Sequence, residues 1–258
     1  MIAGPPQWLL LDVPGALQAG ALLQQMQARW FWLFEGTELH ALREHGPILV
    51  DLRTCPALTG LCHSEAHIWR GLLLLSEASS SQLLAHLRRM LTVSFGLHHR
   101  ALLSYYNPHT ASYFFDACDA RELSRWLGPI SQLRWFGGTW ADRAIGSECW
   151  QQLLNPGLVV SPLGVEESLS PGQREKLQTC LLEQHTWRWS LSTATDYNTL
   201  WFHVQEGLAL DFSERPVLDD WLWLRLQHPG AVLVQPLTGA TQQERLDGLR
   251  DVWQNGQC

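Results

Sequence analysis

Over the first 140 residues, short apolar runs of strand length alternate with stretches of helical spacing, and this alternation restricts the fold more than any other feature. Trp8 to Leu11 reads as a strand ending at Asp12, and Ala16 to Arg29 as a Leu/Gln/Ala-rich helix. Phe31 to Phe34, Ile48 to Leu52 and Gly71 to Leu75 are further apolar runs too short for helices. Ser81 follows a serine cluster and is placed to cap a helix whose Leu83, Leu84, Leu87 and Leu91 share one face. Ala101 to Tyr106 is expected as a strand, Asn107-Pro108 as a turn, and Ala111 to Cys118 as helical. Ala120 to Leu127 is a short helix stopped by Gly128-Pro129, and Leu133 to Phe136 is the last strand. Strands alternating with helices predict an α/β (α+β) lobe with a mixed sheet over residues 1–140.

From about 137 to 168 the chain is rich in Gly, Pro and Ser, and 141–168 is expected to be an irregular connection. The pattern from 169 to 258 is helical. Ser170-Pro171-Gly172-Gln173 sets a cap residue, a proline at the first helical position and a glutamine three after the cap. That helix should run to about Trp189, with Leu177, Cys180 and Leu181 on one face. Thr195 to Glu206 follows, closed by Gly207. Ser213 opens a helix to Gln227, and Thr241 with Glu244 forms a capping box for a last one bearing Leu246, Leu249 and Trp253. A smaller helical C-terminal lobe is the expectation.

The chain holds 14 tryptophans among 258 residues, where ordinary usage gives about three. Several stand two residues apart: Trp30/Trp32, Trp187/Trp189 and Trp221/Trp223. Most such rings fill cores, yet tryptophan is also the side chain most enriched at binding hot spots, because it buries a large rigid area at little rotamer cost. Charge narrows the partner. The net charge is −7, and residues 151–258 hold 7 Lys/Arg against 13 Asp/Glu. No basic stripe is present to displace counterions from phosphate, so no nucleic acid is expected as a partner. Met1 to Pro6 has neither a basic start nor an apolar core of signal-peptide type, and no apolar run approaches the roughly 20 residues of a membrane span. Cys55, Cys62, Cys118, Cys149, Cys180 and Cys258 form no CxxC pair and read as reduced thiols. The expected location is cytoplasmic, away from membranes.

Signatures of chemistry are sparse. His63-Ser64-Glu65-Ala66-His67 has two histidines at i,i+4, the spacing that presents two imidazoles to zinc on a helix, but Glu65 is one place late for the metalloprotease pattern. His98-His99 reads as a solvated turn. Thr92-Val93-Ser94-Phe95-Gly96 lacks the first glycine of a nucleophile elbow, and no phosphate-cradling glycine loop occurs. Glu166/Glu167 and Asp219/Asp220 are neighbours in sequence, point apart on a helix, and read as solvated charge. No catalytic residue, metal site or cofactor is expected, and the chain is read as no enzyme.

Several segments taken together resemble a known family. Trp8-Leu9-Leu10-Leu11-Asp12, Trp32-Leu33-Phe34-Glu35-Gly36 and Gly46 to Leu52 are similar to the opening of the bacterial type VI secretion effector chaperones, whose shared domain is one of unknown function. The likeness continues through Arg70 to Ser76, Leu83 to Leu91, Ser104-Tyr105-Tyr106-Asn107-Pro108-His109 and Trp126-Leu127-Gly128-Pro129-Ile130. It covers residues 8 to about 136. Relatives usually carry Arg-Phe-Tyr-Asp-Pro-Arg where this chain has Ser104 to His109, so Tyr106 and Pro108 match while both arginines and the aspartate are replaced. Glu35, Gly36, Tyr106, Asn107, Pro108, Gly128 and Pro129 are the positions that carry the family pattern.

The resemblance implies an adaptor that holds a toxic effector in the cytoplasm and loads it onto the spike (valine-glycine repeat) protein of the secretion needle. The aromatic pairs supply candidate anchors for that effector: Trp187, Trp189, Trp221 and Trp223. Residues i and i+2 of a helix face different ways, so one of Trp221 and Trp223 should enter the core and the other face outward. The competing readings are a metal-dependent hydrolase or nuclease effector built around His63, Glu65 and His67, and a structural subunit of the machine.

Overall fold

The computed structural model describes residues 4–95, 99–164, 167–233 and 237–255. Met1 to Ala3, Gly96, His98, Glu166 and Cys258, on which parts of the sequence reading fall, lie outside them. The chain divides into two compact units, Met1–Leu181 and Leu182–Cys258.

The first unit is α/β, built on a six-stranded sheet of order β2-β3-β1-β4-β7-β8. Its strands are β1 (Trp8–Leu11), β2 (Trp30–Trp32), β3 (Ile48–Asp51), β4 (Gly71–Leu75), β7 (Gln132–Gly137) and β8 (Cys149–Leu154). Neighbours in this sheet all pair antiparallel. The mixed pairing comes from a small second sheet: β5 (Thr92–Phe95) runs antiparallel to β6 (His99–Leu102) and parallel to β9 (Glu167–Ser168).

Every residue of β1 is buried, because the strand is central and both faces of the sheet are covered. The pleat then assigns side chains by parity. Leu9 and Leu11 join Ile48, Val50 and Leu73 under α1 (Val13–Gln25) and α2 (Ala57–Ser64), which supply Ala19, Leu23, Leu58 and Cys62. Trp8 and Leu10 join Leu49, Leu72 and Leu74 on the opposite face. There they meet α3 (Ser80–Arg89), α4 (Pro108–Asp116) and α5 (Ala120–Leu127) through Leu83, Leu87, Phe114, Phe115 and Trp126.

Helix starts follow local chemistry. Ser79, not Ser81, caps α3 in a reciprocal box with Gln82, since only Ser79 stands three residues before a glutamine. Asn107-Pro108 is the N-cap and first turn of α4 rather than a free turn, and the strand expected from Ala101 to Tyr106 ends at Leu102. The span expected as a connection, 141–168, contributes most of α6 (Trp140–Ile145) together with β8 and β9. Thr139 and Asp142 form the capping box of α6, and β8 pairs with β7 over six residues.

Helix α7 (Pro171–Thr193) starts at the expected Ser170/Gln173 box. Its inward stripe within the first unit is the buried Gln173, the half-buried Leu177 and the buried Cys180. Leu181, one residue and about 100° further round, is exposed. The second unit contains the rest of α7 with α8 (Tyr197–Ala209), α9 (Arg215–Gln227) and α10 (Gln242–Asn255). Asp196 caps α8, and Gly207 lies inside that helix instead of closing it. The Thr241/Glu244 box opens α10. Val204, Phe212, Leu218, Trp221, Leu222, Leu246, Leu249 and Trp253 form the core. Beside it Arg225 makes a two-pronged pair with Glu206 (2.9 and 3.1 Å) and lies over the Trp253 ring.

Candidate partner-binding surface

Burial sorts the tryptophans. Trp8, Trp69, Trp126, Trp135, Trp140, Trp221 and Trp253 are buried, while Trp223 stands 54% exposed. Trp221 and Trp223 differ by about 200° around α9, so a helix packed on one side takes one ring in and leaves the other out. Trp221 is fully buried, and its Nε1 donates to the His203 carbonyl at 2.7 Å. Its ring packs against Phe212 and Trp253. Of the four expected anchors, Trp221 therefore belongs to the core and offers a partner no surface.

Trp189 and Trp223 come together edge to face, with centroids 5.1 Å apart. The Trp189 indole donates to Asp219 Oδ1 at 2.9 Å. His185, one turn before Trp189, brings its Nε2 to 2.8 Å from the same oxygen without hydrogen-bond alignment. Burial lowers the His185 pKa, so its ring is neutral near pH 7. Asp219 and Trp223 are i and i+4 on α9, as His185 and Trp189 are on α7, so two helix faces meet through four side chains. Trp187, half-buried, lies about 200° from Trp189 on α7 and does not belong to this group. Asp219, expected as solvated charge, instead accepts from Trp189 and faces His185, a residue without a sequence motif of its own. The paired i,i+4 spacing of an acid or imidazole with a tryptophan was the signal available.

The family-pattern positions are architectural. Gly36 and Gly128 adopt left-handed backbone angles, φ +72° and +51°, which favour glycine, and a Cβ on Gly128 would meet the buried His86 ring at 2.4 Å. Glu35 is an exposed turn residue. Tyr106 packs against Phe34 and Tyr105. Asn107 accepts from the amides of His109 and Thr110 and donates to the buried Asp12 at 3.2 Å. Pro108 occupies the first turn of α4, and the Pro129 carbonyl accepts from Ser76. His109 is 1% exposed, stacks on Trp140 and contacts the Gly138 carbonyl through Nδ1. Burial, with Arg70 and Arg143 nearby, pushes its pKa down to about 4.

Residues 7–125 match the family model described as Domain of unknown function (DUF4123). No curated protein and no solved structure matches the chain. The DUF4123 match runs from the approach to β1 into α5, so it holds Glu35, Gly36, Tyr106, Asn107 and Pro108 and stops short of Gly128 and Pro129. The second unit, with Trp189 and Trp223, lies wholly beyond the DUF4123 segment.

Helix α2 ends at Ser64, so His63 and His67 do not share a helical face. His63 stacks on Trp150, and desolvation pushes the buried Cys62 thiol up to about 12. Among the described residues, no group of three or more His, Cys, Asp or Glu is placed to hold a metal ion, and no helix is long and apolar enough to cross a membrane. Glu167, expected as solvated, is instead buried, because Arg125 and the Gly164 amide both donate to it. His99 begins β6 and is exposed.

Proposed function

We propose that the chain is an adaptor that holds a toxic effector in the cytoplasm and helps load it onto the spike protein of a type VI secretion system, making and breaking no bond itself. The observation that carries this reading is the DUF4123 match over residues 7–125, which falls on the same segment that resembles the effector chaperones of that system. Division of labour supports it. The matched segment supplies β1 to β6 and four whole helices of the first unit, whereas the exposed tryptophan lies in the unit outside the match. Trp223, backed by Trp189 and Asp219, is the assigned anchor for the effector, and Trp187 is the second candidate.

The test is co-expression of the full chain with each protein encoded by its flanking genes, followed by co-purification. A toxin-like neighbour and a spike protein should be retained, and Trp223→Ala should weaken toxin capture by about 2 kcal/mol, near thirtyfold. Retention of neither neighbour sinks the adaptor reading, and undiminished capture by Trp223→Ala sinks the surface assignment.

A further inference from the structure

We propose that the first unit carries an oxyanion-binding pocket, built by Arg88, Arg89 and Arg100, that takes a carboxylate or phosphate group. A hollow of about 290 Å³ lies between the Thr37–Leu39 turn, the last turn of α3 and the β5–β6 pair. Its lining contains three guanidinium groups and one carboxylate, Glu38. This concentration of positive charge is set in a chain of net charge −7.

Two of the arginines are fixed before any ligand arrives. Arg88 donates from Nε to the Leu33 carbonyl and from Nη2 to the Trp32 carbonyl, both at 3.1 Å. Those ties immobilise the planar fork and leave its Nη1 group available. Arg100 is held by Glu38 at 2.8 Å and by the Thr92 hydroxyl. Arg89 is exposed and has no acidic partner among the described residues.

Cations in the last turn of a helix complement its dipole, which accounts for Arg88 and Arg89 taken alone. It does not account for Arg100, which arrives from β6, nor for three guanidiniums lining one concave surface. Prefixed forks lose little entropy when they close on an anion, and a group with two or three oxygens accepts from them in parallel. The same chemistry is offered by a side-chain or terminal carboxylate of a polypeptide and by a phosphate group. The proposal is independent of the effector surface, since every lining residue lies in the first unit.

Calorimetric titration of the full chain at low salt tests it, with inorganic phosphate in one arm and a capped tri-glutamate peptide in the other. Binding near 1 mM or tighter is expected in at least one arm. Arg89→Gln and Arg100→Gln should each weaken it about tenfold. Phosphate binding alone assigns a phosphoryl ligand, and peptide binding alone assigns a polypeptide carboxylate. Binding in neither arm, or equal binding by Arg89→Gln and wild type, overturns the proposal. Arg89 holds no other group among the described residues, so its variant should melt with the wild type and keep the test clean if Arg100→Gln loosens the β5–β6 pair.

Discussion

Gly207 lies within α8 directly beneath the Trp221 ring. A Cβ placed there would come within 2.5 Å of Trp221 Cδ1, 2.7 Å of Nε1 and 3.1 Å of Leu218 Cδ1. Trp221 is fully buried and tied by its 2.7 Å bond to His203, so the indole has no free volume to enter. Gly207→Ala should therefore push the ring off its acceptor. Overpacking of this kind costs about 1–3 kcal/mol, and a buried unsatisfied indole N–H costs a further 1–3 kcal/mol. Alanine returns roughly 1 kcal/mol through better helix propensity. A net loss of about 3 kcal/mol is the expectation, read by urea denaturation followed by far-ultraviolet circular dichroism. The double variant with Trp221→Leu isolates the cause: in that background Gly207→Ala should cost little or stabilise, giving a coupling of 2 kcal/mol or more. If Gly207→Ala alone stabilises by about 1 kcal/mol, as at an exposed helical glycine, the packing argument is refuted.

The two tryptophans of α9 should separate cleanly: Trp221→Ala is expected to cost about 3–5 kcal/mol, and Trp223→Ala, which loses its edge-to-face contact with Trp189, about 1 kcal/mol in the same urea assay. Equal losses would contradict their opposite placement. His109 sets a pH dependence. Its folded pKa near 4 lies below the ordinary value of 6.5, so the unfolded chain takes up the proton first. The stability from keeping His109 neutral is then full above about pH 6.5 and is lost as pH falls towards 4. Between pH 7 and 5 wild type should lose about 2 kcal/mol more than His109→Gln, and parallel pH profiles for the two would refute this.

The α/β class was legible because the apolar runs at 8–11, 48–52 and 71–75 are short, separated by helical spacing and, except for the half-buried Leu75, buried in or beside the sheet. Length decides such runs, since four or five apolar residues are enough for a buried strand and too few for a helix. Helix α5 was legible to the residue, since Asp119/Glu122 and Gly128 mark both its ends chemically. What failed was β8: Cys149–Leu154 is an edge strand with exposed and half-buried residues, so no alternation marks it. Gly207 misled because a glycine near the end of a helical run reads as a stop, whereas here it makes room for a ring supplied 14 residues later. For the partner surface, sequence indicated that Trp221 and Trp223 diverge but not which faces inward. That choice depends on where Val217, Leu218 and Leu222 set the buried side of α9.

Under the proposed adaptor reading Trp223 is the anchor, and its exposure sets what it could contribute. A tryptophan presents 150–250 Å² of area for burial, and Trp223 keeps 54% of its accessible surface in water. Covering roughly 100 Å² of it would return about 2.5 kcal/mol at 25 cal/mol per Å², the size of an anchor residue's contribution. The fold draws none of that: the core of the second unit is closed by Trp221, Phe212 and Trp253 without it. Meanwhile Trp189 braces one edge of the ring, and Asp219 fixes Trp189 by its indole N–H. A side chain that contributes little to its own core, yet is braced by a neighbour that is itself fixed, would enter the proposed complex with part of its ordering cost already met. Loss of Asp219 should then impair capture by loosening Trp189, leaving Trp223 itself intact.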